Sequence, residues 1–76
     1  MKTRQEIGAE LRRLRGSRSL KSVADAIGMS ESSLNMYELG QRIPKDPVKS
    51  RIAKFYGVSV GSLFFGEDVT ISDNPS

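Results

Sequence analysis

Glycines at positions 16, 28, 40 and 57 cut this chain into short segments, and within each segment the apolar residues recur at helical spacing. Ile7, Leu11 and Leu14 precede Gly16, and Val23, Ala24 and Ile27 precede Gly28. Leu34 and Tyr37 precede Gly40, and Val48, Ile52 and Phe55 precede Gly57. A short helix with one apolar stripe is stable only against other helices, so the pattern demands a bundle. Start signals agree with these stops. Ser19, Ser30 and Ser59 are N-cap residues, and Asp46-Pro47 reads as a cap followed by Pro at the first helical position. The spacing predicts helices over 3–15, 20–27, 31–39, 47–56 and 60–65, an all-α fold of five helices. Gly61 and Ser62 are weak helix formers, so the fifth helix leans on packing. Residues 1–66 read as one domain and 67–76 as an acidic tail, where Val69-Thr70-Ile71 offers a short strand or a frayed end.

Composition removes several classes of function. At 76 residues the chain is one small domain with a thin core. It contains no Cys and no His, hence no disulfide framework, no thiolate metal site and no imidazole base. Ser32 and Ser33 have no partner base to activate them. No Gly-rich phosphate loop or paired carboxylates are evident, so neither catalytic nor metal-binding residues are assigned and no cofactor is expected. Apolar runs are too short to span a membrane, and the charged N-terminus is unlike a signal peptide; the expectation is a cytoplasmic protein.

The net charge of +3 conceals an asymmetry. Glu67, Asp68 and Asp73 lie in the tail, so the first 66 residues carry 12 basic and 6 acidic side chains. A basic body favours a polyanion partner, although charge of one sign also simply aids solubility. Yet between Gly28 and Leu39 there is no Lys or Arg, only Glu31 and Glu38.

Gly28-Met29-Ser30 joins two short helices. Ala24 permits close approach of the second helix, and Gly28 permits a left-handed backbone at the turn. This fits a helix-turn-helix, a pattern that many helical hairpins share. More specific are the stretches VADAIGMS, YELGQRIPKD and IAKFYGVSVGSLFF. With them, residues 5–67 resemble the Xre/Cro/CI family of phage and bacterial repressors. The resemblance implies a five-helix, repressor-like fold that binds a double-stranded operator as a dimer, with helix 31–39 in the major groove.

Carried onto this sequence, the resemblance assigns base reading to Glu31, Ser32, Asn35 and Met36. Glu31 can accept from cytosine N4, Asn35 can pair with adenine, Ser32 suits either base, and Met36 can pack on a thymine methyl. The plainer alternative is a solvated helix face, with Glu31 favoured at the helix N-terminus by the dipole. Base edges do not demand positive charge, whereas phosphates do. Ser19, Lys21, Ser30, Arg42, Lys45 and Lys49 are the candidate phosphate contacts, with the N-termini of the second and fourth helices. Many relatives carry Gln at the position of Leu20, and leucine cannot make the phosphate contact that Gln makes there. The family also implies a partly buried ion pair between Arg15 and Glu38, a structural role. Val60, Phe64 and Phe65 are the candidate dimer surface, against the alternative that they close the core of one copy; Leu63 and one Phe belong to that core in either case. No small-molecule ligand is evident. A protein-binding module, or an antitoxin-like partner that keeps the fold with weakened DNA contacts, is the competing reading, supported by Glu31, Leu20 and the Lys-free third helix.

Overall fold

Thr3 starts the first helix through a reciprocal cap: its hydroxyl accepts from the Glu6 amide at 3.1 Å, and its own amide donates to the Glu6 carboxylate at 2.8 Å. The amide of Thr3 holds the Glu6 carboxyl below its ordinary range. The computed structural model describes residues 2–66. Four α-helices follow in order: α1 Arg4–Arg15, α2 Leu20–Ile27, α3 Glu31–Glu38 and α4 Asp46–Tyr56, closed by a π-helical turn, Gly61–Phe65. Among the described residues there is no strand and no helix long and apolar enough to cross a membrane. Val69-Thr70-Ile71 and the rest of 67–76 lie outside the described residues.

The core gathers one stripe from each element: Ile7 and Leu11 from α1, Val23, Ala24 and Ile27 from α2, Leu34 and Tyr37 from α3, Ile52 and Ala53 from α4, and Leu63 and Phe64 from the π turn. Val48 and Phe55, expected in the core, are only half-buried against it. The helix α3 packs on both α1 and α2, while α2 also meets α4 and α1 meets the π turn. Its approach to α1 is set by Gly8. A Cβ on Gly8 would lie 2.8 Å from the Tyr37 carbonyl oxygen and 2.9 Å from the Glu38 carbonyl carbon. Glycine here lets the backbones touch, a requirement that the residue's mid-helix position did not announce.

Thr3 is the cap of α1 rather than its first helical residue, and three other elements also differ from expectation. Leu39 is the cap of α3 rather than its last turn, and its side chain stands 55% exposed. Asp46 is not the cap of α4: Lys45, with extended backbone, holds that position and makes no side-chain cap bond. Asp46 is already helical, and its carboxylate turns to Lys49. The fifth helix is a π turn closed by the Gly66 amide on the Gly61 carbonyl. Its weak formers are retained because Leu63 and Phe64 are fully packed.

Candidate nucleic-acid interface

The turn between α2 and α3 positions the site. The Gly28 and Met29 amides both donate to the Ala24 carbonyl, at 2.9 and 3.0 Å, with Gly28 at φ 92°. That left-handed residue is what sends the chain sharply into α3. The Ser30 hydroxyl oxygen then accepts from the Ser33 amide at 3.0 Å and starts α3. From the other side, Arg15 clamps the end of α3. Its Nε and Nη2 donate to the two Glu38 carboxylate oxygens at 2.8 and 3.0 Å, and its Nη1 donates to the Arg18 carbonyl at 2.6 Å. The Glu38 side chain is almost fully buried. The bonded carboxylate raises the Arg15 guanidinium above its ordinary value. Nearby, burial pushes the Tyr56 hydroxyl up, with the Glu38 charge adding to it; that hydroxyl has no hydrogen-bond partner among the described residues.

Held in this way, α3 turns one polar face outward. Glu31, Ser32 and Asn35 line a single open groove of about 410 Å³, and its fourth wall is Leu20 from the first turn of α2. Met36 is exposed at 36% but does not line that groove. Beyond the far end of α3, Arg42 and Lys45 line a second depression with Tyr37, Ile43 and Val48. Both cations are exposed. Lys21 is also exposed, and its ammonium sits 3.3 Å from Asp25, which offsets part of its charge. Ser19 and Ser30 are exposed caps. The Ser30 hydroxyl donates to the Ser33 hydroxyl at 2.9 Å, so its proton is already engaged.

Three assignments are corrected. Lys49 is not a surface phosphate contact: the residue is 8% exposed, with its ammonium 4.8 Å from the centre of the Phe65 ring and 5.8 Å from that of Phe64. Its long stem is absorbed by the core edge, and the charge faces aromatic rings. Phe64 is not a dimer surface, because it is completely buried. Phe65 is 38% exposed, and Val60 is half-buried against the core. The N-terminus of α4 is also a poor anion site. Pro47 lacks an amide proton, and the exposed Asp46 carboxylate stands there instead.

A residue undervalued in the sequence is Leu20. It extends the stripe of Val23, Ala24 and Ile27 back by one turn, and that spacing was the available signal. Its position beside the N-terminal turn of α3 is a tertiary fact.

Two short helices on a left-handed glycine turn, with the second set outward by an ion pair at its end, define a helix-turn-helix protein. The family model described as a helix-turn-helix domain matches residues 6–63, and the chain belongs to that family. The membership agrees with the resemblance to Xre/Cro/CI regulators. The chain is also similar to the cryptic phage CTXphi transcriptional repressor RstR of Vibrio cholerae, with 33% identity over 67 residues. That match covers 86% of this chain and 60% of the relative, so the chain spans less than two thirds of its length. No solved structure gives a significant match.

Proposed function

We propose that this protein is a sequence-specific double-stranded DNA-binding regulator, a repressor of phage or mobile-element type, with α3 reading the major groove. The observation that carries the reading is the convergence of Glu31, Ser32 and Asn35 on one open groove, with Arg42 and Lys45 outside it. Hydrogen-bonding side chains without positive charge suit base edges, and flanking cations suit phosphates. The sequence similarity to a phage transcriptional repressor supports the same reading. Met36 completes the base-facing set. Ser19, Lys21, Arg42 and Lys45 are the phosphate contacts, and Ser30 contributes as the cap that orients α3. Two copies on a twofold axis would read half-sites one helical turn apart in cytoplasmic DNA. Phe65 is the exposed aromatic residue of the C-terminal turn available to such a homodimer.

The experiment is selection of duplexes from a random pool, followed by affinity measurement on the consensus at several salt concentrations. A palindromic consensus, with log K falling by about 0.9 per phosphate contact against log salt, is expected. Glu31→Ala should relax one position of it. A pool without enrichment, and binding flat in salt, would overturn the proposal in favour of a protein-binding module.

A further inference from the structure

We infer that Leu20 is a specificity-determining residue that reads the C5-methyl group of a pyrimidine in the major groove. The inference rests on the proposed groove reading and extends it to α2. Leu20 shares the groove with Glu31, Ser32 and Asn35 and is its one apolar wall among the described residues. Met36, the other apolar candidate on this face, lies outside that groove. Leu20 is half-buried: one side packs on the core, and the rest faces the opening. It has no polar atom beyond the backbone, so its side chain can neither bind phosphate nor hydrogen-bond a base. What it can do is lose water against an apolar group on the DNA.

The major-groove edge offers one such group, the methyl on C5 of a pyrimidine. The neighbouring wall sharpens the match. Glu31 supplies an acceptor for cytosine N4, and the ring carbon that bears this amino group, C4, is bonded to C5. An acceptor beside an apolar wall is therefore complementary to an amino group beside a methyl. Two DNA sources present that pair: 5-methylcytosine on one base, or a cytosine with a thymine at the next step. The shared chemistry is a pyrimidine C5-methyl, and the two sources are separable by base substitution.

The test uses the full chain and the duplex selected from the random pool. Each thymine in a half-site is replaced in turn by deoxyuridine, and each cytosine by 5-methylcytosine. With the wild-type protein, one deoxyuridine position should weaken binding about fourfold, the worth of one methyl removed from water. Alternatively, one 5-methylcytosine position should strengthen it by the same factor, which identifies 5-methylcytosine rather than a neighbouring thymine as the source. Leu20→Ala should abolish the sensitivity at one position while leaving a thymine read by Met36 and the Glu31-dependent position intact, and Leu20→Met should keep it. The wild-type scan needs no variant to fold. If no substitution changes affinity by twofold, or if the sensitivity persists in Leu20→Ala, the role of Leu20 is overturned while the groove reading stands. A pool without any enriched sequence overturns both.

Discussion

Removal of the Glu38 carboxylate tests how α3 is held. In Glu38→Ala the Arg15 guanidinium loses two of its three hydrogen bonds and keeps only the one to the Arg18 carbonyl. Breaking a buried pair from one side costs about 3–5 kcal/mol, because a charge is left desolvated and unpaired. Here the Arg15 side chain is 16% exposed and the Glu38 side chain 4%, so water can reach the orphaned guanidinium but not the vacated carboxylate position. The loss should accordingly fall below that range, at about 2–3 kcal/mol. For a domain of this size that is a melting temperature lower by roughly 10–20 °C. Denaturant unfolding and thermal melts followed by circular dichroism at neutral pH give both quantities. The companion is the double variant Arg15→Met with Glu38→Leu. It removes both charges and fills the space, so it should cost less than the sum of its two single variants by more than about 1 kcal/mol. A Glu38→Ala melt within about 2 °C of wild type, or an additive cycle, would refute the claim that this pair locks α3 to α1.

Two further outcomes follow from the packing. Gly8→Ala should destabilise by about 2 kcal/mol or more although alanine is the better helix former, since its Cβ would press on the backbone of Tyr37 and Glu38; a denaturation curve showing equal or higher stability would contradict the close α1–α3 approach. Lys49→Met should leave DNA affinity and its salt slope unchanged and shift stability by no more than about 1 kcal/mol, because the side chain is buried over aromatic rings and pairs only at 3.6 Å with an exposed Asp46; a salt slope shallower by about one would return Lys49 to the phosphate contacts.

The sequence by itself determined the helices and the turn, because their causes are local. Apolar spacing chose the inward faces, serine hydroxyls capped the amides three residues on, and glycines allowed the chain to reverse. Resemblance to a known family then pointed to the outward face of α3 and to the Arg15–Glu38 pair. Where two local rules competed, the sequence misled: Asp46 is a good cap and also a good partner for Lys49, and the helix begins at Asp46 instead. Tertiary structure alone decided what depends on a neighbour from another segment. Phe64 and Phe65 are adjacent and chemically identical, yet the π turn buries one and exposes the other. Lys49 looks like a surface cation until its ammonium is found over two aromatic rings. Gly8 matters because a separate helix crosses it, and Leu20 matters because the turn at Gly28 brings α3 beside it. Periodicity tells which side of a helix is apolar; only the packing of one helix on another tells what that side meets.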